Sequence, residues 1–472
     1  MDAKEFGSIV MDELPFEPNG QQTQLIAALS LFCSRGWADN GVFVLNGYAG
    51  TGKTSVVGAL VKALRRVNVA TVLLAPTGRA AKVFSRMSGH PAYTIHRMIY
   101  RSQGGGMGGY GGGLAVNENR HRNTIFIVDE ASMIGDGAAG DPYSQSLLDD
   151  LVHYVYSSDG CRLILLGDTA QLPPVGCLES PAMQPRRLKT LGLRVTRAIM
   201  TQTVRQAGDS GILYNATWLR RAMLSNPLPE PRLTIDAFAD VKAVSGEDLP
   251  DEIEKAYSRY GIEDTMLITR SNQRATQYNL AIRSRILEKN EMLTGGELIM
   301  IARNNYHWTT KVPGIDFIAN GDIARVEKVY GTEERGGLRF ADVKIRLVDR
   351  DTDLDVKLIL DSLVTDTPAL DAEGLQKLAD LCINDPDRFT PATPMSTRMR
   401  TLRSDPYFNA LQVKYGYAVT CHKAQGGQWS SVFVDMGYIP PEAQGIDFYR
   451  WLYTSTTRAV RELNYINPAI EH

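Results

Sequence analysis

The segment GYAGTGKT at residues 47–54 constrains this chain more than any other. It follows the apolar run at 42–45 and opens a helix-forming stretch at 55–64. A buried strand, a glycine turn and a helix N-terminus in that order form a loop whose backbone N–H groups wrap phosphate. Lys53 is expected to place a point charge on the β- and γ-phosphates of a nucleoside triphosphate, and Thr54 a hydroxyl on Mg²⁺. More short apolar runs at 70–74, 124–128 and 162–166 each end in a small or polar loop. Such runs fit strands buried on both faces of a parallel sheet, whose C-terminal ends gather functional groups. A second set at 265–269, 417–420, 432–435 and 463–466 predicts a second, similar α/β sheet.

Two of those strand ends carry chemistry. IFIVDE at 125–130 delivers adjacent carboxylates. Asp129 suits the Mg²⁺ shell and Glu130 suits a base that orients an attacking water. GDTAQLPPV at 167–175 places Gln171 within reach of a γ-phosphate, beside a rigid Pro-Pro turn. The rhythm changes at 298–362, where apolar and polar residues alternate (342–348, 354–360), predicting an antiparallel β unit. Residues 364–407 read as a helix and a long loop. The segment 104–113 holds eight glycines and is either a flexible loop or the mobile tip of a hairpin.

Lys and Arg total 51 against 53 Asp and Glu, a formal net charge of -2, which on its own argues weakly against nucleic acid. The distribution says otherwise. Residues 77–122 hold seven Lys/Arg and one Glu, and 183–206 hold six and no acid, while 349–387 hold eleven acids and three bases. That segregation fits a basic track on a nearly neutral protein. Five scattered cysteines without a CxxC, no apolar run long enough for a bilayer and no signal pattern in the first twenty residues point to a cytoplasmic protein with reduced thiols and no membrane partner.

The motifs together resemble superfamily 1 DNA helicases of the 5′-to-3′ branch (RecD/Dda/Pif-like), closest to RecD-like. The matching stretches are GYAGTGKT, LLAPTGRAAKVFS (73–85), TIHRMIY (94–100), IFIVDEASMI (125–134), LLGDTAQLPPVG (165–176), TQTVRQ (201–206), YAVTCHKAQGGQW (417–429) and YTSTTRAV (453–460). The resemblance implies two RecA-like P-loop motor domains. The first would span 1–200, with a pin-like insertion at 100–123. The second would span 201–297 and 408–472, interrupted at 298–407 by an SH3-like insertion with its following helix and loop.

The same resemblance implies residue roles. Gln24 would read adenine, with Gln21 and Gln22 as neighbours that blur the assignment. Gly47, Gly50, Thr51, Gly52, Lys53, Thr54 and Ser55 would bind the phosphates of ATP, and Thr54 and Asp129 the Mg²⁺. Glu130 would activate water, Gln171 would sense the γ-phosphate, and Arg205 and Arg458 would reach it from the second motor domain. Pro76, Thr77, Gly78, Arg79, Thr94 and His96 would contact the strand from one side, and Thr420, His422, Lys423 and Gln425 from the other. Tyr110 and Met107 are the only stacking faces in the glycine-rich part of that pin-like insertion, residues 104–113. The implied activity is unwinding of duplex DNA by a monomeric, ATP-driven 5′-to-3′ translocase that binds single strands and junctions, with partners in repair or recombination. A DNA-stimulated ATPase subunit of a larger complex and an RNA helicase are the alternatives.

Overall fold

The computed structural model describes residues 2–34, 40–102, 114–137, 146–203, 210–235, 237–310, 312, 317–348, 352–402 and 404–468. Its first half contains β1 (Gly41–Gly47), β2 (Thr71–Ala75), β3 (Ala92–Thr94), β4 (Tyr100–Ser102), β5 (Leu114–Val116), β6 (Ile125–Val128), β7 (Arg162–Gly167) and β8 (Arg194–Met200). Six of them form one sheet in the order β3-β2-β6-β7-β1-β8, every neighbour parallel. β1 is buried along its whole length. Phe43 and Leu45 pack on one face with Val56, Val57 and Leu60 of the helix Lys53–Arg66; Val42 and Val44 pack on the other with Leu148 and Leu151. A strand covered on both sides has no reason to alternate, and so it reads as a continuous apolar run.

The second half adds β9 (Val241–Val244), β10 (Thr265–Thr269), β11 (Leu298–Ile301), β12 (Ile323–Arg335), β13 (Leu338–Leu347), β14 (Thr352–Ile359), β15 (Leu411–Tyr415), β16 (Ala418–Thr420), β17 (Trp429–Asp435) and β18 (Ala459–Ile466). A five-stranded parallel sheet runs β16-β10-β17-β18-β9. β11 to β15 close into a small barrel. β13 alternates buried and exposed residues, as a strand with one wet face should.

Two expectations change. The β unit is not confined to 298–362: its fifth strand, β15, comes from beyond the intervening segment and closes the barrel between β11 and β14. That segment is not one helix and a long loop either, because it carries two helices, Ala372–Ile383 and Met395–Leu402. β4 and β5 pair antiparallel on either side of the glycine-rich segment, which itself lies outside the described residues. Among the described residues, no helix is long and apolar enough to cross a membrane.

The sheet order sets up the site. β6, β7 and β1 are adjacent, so residues just past their C-terminal ends, Asp129, Asp168 and the loop after Gly47, converge at one edge.

Candidate active site

The phosphate-type loop runs from the end of β1 into the helix Lys53–Arg66. Gly52 caps that helix with φ +76°, and Gly50 has φ +74°. Both angles lie in the left-handed region that a side chain disfavours. A Cβ on Gly50 would also stand 2.8 Å from Leu213 Cδ2. Thr51 is buried, and its hydroxyl donates to the Tyr48 carbonyl at 2.8 Å, so its side chain shapes the loop. Thr54 and Ser55 sit in the first helical turn, where unpaired N–H groups favour an anion.

Lys53 Nζ lies 3.8 Å from Asp129 Oδ1. Burial opposes the Lys53 charge, yet Asp129, Glu130 and Asp168 together hold its pKa above the ordinary lysine value. Arg458 pushes the other way, which places its guanidinium within electrostatic range of the same lysine. Burial raises the carboxyls of Asp129 and Asp168, and Lys53 only partly offsets this. Asp129, Glu130 and Asp168 thus balance two cations in a buried neighbourhood, where the Asp129 carboxylate together with the Thr54 hydroxyl is the oxygen chemistry that a hard divalent cation takes.

Glu130 follows Asp129 with φ +53°, a strained value for a non-glycine residue of the kind that collects at functional sites. Its N–H donates to Asp129 Oδ1 at 2.9 Å. Glu130 Oε2 and Gln171 Oε1 are both buried acceptors without a donor partner in the protein. An orphaned buried acceptor costs about 1–3 kcal/mol, so each marks a place shaped for something else to donate or coordinate.

The glutamine assignment shifts. Gln24 is exposed on the helix Gly20–Cys33, roughly opposite Gln22 by helical phase. Gln22 is the buried one: Asn19 caps the helix, Gln22 completes the capping box, and its Nε2 donates to the Thr51 carbonyl at 3.3 Å. Gln21 holds the far wall, accepting from the Thr201 and Gln202 N–H groups, both at 2.9 Å. Next to them a cavity of about 650 Å³ is lined by Asn19, Tyr48, Thr201, Thr203, Arg220 and Leu224, among others. The Arg220 guanidinium lies 4.6 Å from the centre of the Tyr48 ring and donates to the Thr201 carbonyl at 3.0 Å.

Arg458 is buried in the second half of the chain, donating to the Thr454 carbonyl (3.1 Å), the Gly427 carbonyl (3.0 Å) and Thr457 Oγ1 (3.2 Å). Arg205, Met107 and Tyr110 lie outside the described residues.

The residues expected to touch a strand divide. Thr77 and Thr94 cap short helices, accepting from Ala80 N–H and Arg97 N–H, both at 3.2 Å. Pro76 and Gly78 flank the first cap. A Cβ on Gly426 would stand 3.1 Å from Thr77 Oγ1, so the two halves meet there. A basic cavity of about 340 Å³ adjoins Gly78 and Thr94, walled by Lys82, Arg86, Arg97 and Tyr93. His96 packs against Tyr100 (5.5 Å) and Phe317 of the loop between β11 and β12 (6.1 Å), and burial pushes its pKa down. Thr420 begins the turn Cys421–Ala424; His422 and Lys423 follow, both lowered by burial. Arg79 and Gln425 are committed to protein partners. Arg79 lies 3.9 Å over Trp429 and donates to the Gln428 carbonyl, and Gln425 Nε2 donates to the Leu172 carbonyl at 2.6 Å.

The residue-by-residue reading missed Tyr453 and Asp168, which meet inside the pocket at 2.7 Å. Each stood in a quoted motif, but a helical tyrosine reads as core and a loop aspartate as solvated.

A family model described as an AAA domain matches residues 19–208, and one described as a UvrD-like helicase C-terminal domain matches 415–466. The ATP-dependent RecD2 DNA helicase of Deinococcus radiodurans is 32% identical over 185 residues, covering 38% of this chain and 22% of that protein. The chain spans only about a fifth of that relative's length. Uncharacterized protein R530 of Acanthamoeba polyphaga mimivirus is 20% identical over 490 residues, covering 90% of this chain and 95% of that one. The Pif1 helicase crystal structure from Candida albicans shares 16% identity at a TM-score of 0.44, covering 97% of each chain.

Proposed function

We propose that the chain is an ATP-driven motor that moves 5′-to-3′ along single-stranded DNA and unwinds duplexes. One observation carries the reading: Lys53 interacts in one buried neighbourhood with Asp129, Glu130 and Asp168 at the strand ends of the first sheet and with Arg458 from the second half. The name of the Deinococcus relative supports ATP and DNA as the substrates, and the resemblance to the 5′-to-3′ branch supports the polarity.

In this reading the cavity beside Tyr48 takes the base and ribose, and the helix N-terminus at Lys53 takes the phosphates. Thr54 and Asp129 would hold Mg²⁺, which supplies charge neutralisation at the phosphate oxygens. Glu130 Oε2 accepts the proton side of the attacking water, and Gln171 orients the γ-phosphate end. Arg458 stabilises charge in the transition state as the two halves close. Closure moves Thr420, His422 and Lys423 relative to Thr77 and Thr94, so each hydrolysis advances one grip past the other. Those hydroxyls and bases hold a backbone without reading sequence. The domain boundaries at 200 and 297 belong to this proposal as well, with β15 counted in the barrel rather than in the second motor domain.

A second reading, an ATPase subunit with little unwinding alone, is favoured by the composition at 104–113, where eight glycines leave only Met107 and Tyr110 as side chains able to stack on a base. The test is ATP hydrolysis with and without single-stranded DNA or RNA. DNA should stimulate strongly; stimulation by RNA alone would overturn the DNA assignment.

A further inference from the structure

The loop after β7 is clamped by the opposite half of the protein. The Leu172 N–H donates to Thr454 Oγ1 at 2.8 Å, and its carbonyl accepts from Gln425 Nε2 at 2.6 Å. Arg450 Nη1 donates to the Leu178 carbonyl at 2.8 Å farther along. Thr454 and Arg450 stand on the helix Ile446–Thr456, and Arg458 follows its end.

Tyr453 on that helix makes the deepest contact. Its side chain is almost fully buried. Its phenol oxygen accepts from the Ala49 N–H, inside the phosphate-type loop, at 2.9 Å. The same hydroxyl donates to Asp168 Oδ2 at 2.7 Å. Burial, then the neighbouring Asp168 charge, push the phenol pKa far up, so the group is a neutral O–H that donates and accepts at once. One atom therefore ties three pieces: the loop that wraps phosphate, the loop that carries Gln171, and the helix that leads into Arg458. None of the three is adjacent to another in sequence.

We infer that Tyr453 is a positioning residue that transmits the state of the phosphate loop to Arg458 and to the loop after β7 that Gln425 holds at Leu172, acting through Ala49 and Asp168. This rests on the motor reading above and adds to it the element that couples the two halves. The physical reason is stiffness. A bridge of two short hydrogen bonds in a dry site cannot stretch by an ångström without losing both. Any shift of Ala49 on phosphate binding must either move the helix Ile446–Thr456 or break the bridge. The same helix, through Thr454, grips the segment next to Gln171. Uniform ground-state binding would then be little affected by loss of the bridge, whereas assembly of the transition-state arrangement would be.

The test is steady-state ATP hydrolysis by the full chain at saturating single-stranded DNA, for the parent, Tyr453→Phe, Asp168→Asn and the double variant. Tyr453→Phe should lower kcat by about ten-fold or more while the KM for ATP stays within roughly three-fold. Asp168→Asn keeps an acceptor oxygen for the phenol and should lose less. The double variant should fall no further than Tyr453→Phe, because both act through one bond. Chemical denaturation of each variant separates loss of fold from loss of coupling. If Tyr453→Phe does not fold, Asp168→Asn decides, and its kcat must drop with KM retained. A kcat within about two-fold of the parent, a rise in KM alone, or additive losses would overturn the inference. An active parent with an unaffected Tyr453→Phe overturns only this coupling role. A parent with no strand-stimulated hydrolysis overturns the motor reading and this one with it.

Discussion

Arg458 offers the sharpest division between a structural and a chemical role. Its guanidinium makes three hydrogen bonds, two of them to the Thr454 and Gly427 carbonyls, in a site that is 3% exposed. Arg458→Ala therefore strips two buried acceptors, costing about 1–3 kcal/mol for each group left unsatisfied. Were that all, stability would drop and turnover of the folded fraction would stay near the parent's. An arginine that also meets the γ-phosphate contributes about 10³-fold or more to phosphoryl transfer. A factor of 10³ corresponds to about 4 kcal/mol of transition-state stabilisation. Single-turnover ATP hydrolysis, normalised to the folded fraction from a denaturation curve, separates the two. The account expects a rate loss of about 10³-fold with nucleotide affinity changed by less than about ten-fold. Arg458→Lys should recover little, since an ammonium cannot hold the Thr454 and Gly427 carbonyls and a phosphate oxygen in one planar fork. A rate loss below about ten-fold with a clear loss of stability would refute the reasoning.

Other consequences are open to simple measurements. Glu130→Gln should retain ATP binding and lose steady-state hydrolysis, since the amide cannot take a proton from water; a titration with a fluorescent ATP analogue beside a phosphate-release assay checks both halves. Arg283 and Glu297 form a buried pair with bonds of 2.6 and 2.9 Å at the junction of the barrel and the second sheet. Arg283→Met leaves that carboxylate uncompensated and should cost about 3–5 kcal/mol in urea unfolding. His96 gives a pH effect. Burial holds its folded pKa below the ordinary 6.5, so the unfolded chain takes up the proton first. Its stabilising contribution is complete above 6.5 and is lost as pH falls from there through the folded value. His121 and His422 shift in the same direction. The urea midpoint should fall on acidification from about pH 7.5 to about pH 5.5, and His96→Gln should make that fall shallower.

What could be read from the residues, and what could not, follows from burial. β1, β6, β7 and β10 are covered on both faces and announce themselves as apolar runs. β8, RVTRAIM, is an edge strand with much of its surface exposed, and its arginines hide it. β15, LQVKY, alternates apolar with polar residues over only five positions, and its membership of the barrel depends on pairing with strands more than fifty residues away, which no local pattern contains. The phosphate-type loop and the Asp129-Glu130 pair are local in sequence and were legible for that reason. The glutamines show the opposite case. Three within four residues carry the same chemistry, and only the helical phase set by the Asn19 cap turns Gln22 inward and Gln24 out. Tyr453 and Asp168 were legible only as members of motifs, because their meeting requires the two halves to close on each other.

The central claim is a directional, ATP-powered strand motor, and a tailed-duplex assay tests it most directly. Two forks of identical sequence, one with a 5′ single-stranded DNA tail and one with a 3′ tail, are incubated with the full chain and ATP, beside Lys53→Ala. The account predicts strand separation of the 5′-tailed fork alone, dependent on ATP and absent in Lys53→Ala. Separation from the 3′ tail alone would contradict the polarity, and activity retained by Lys53→Ala would contradict the motor itself.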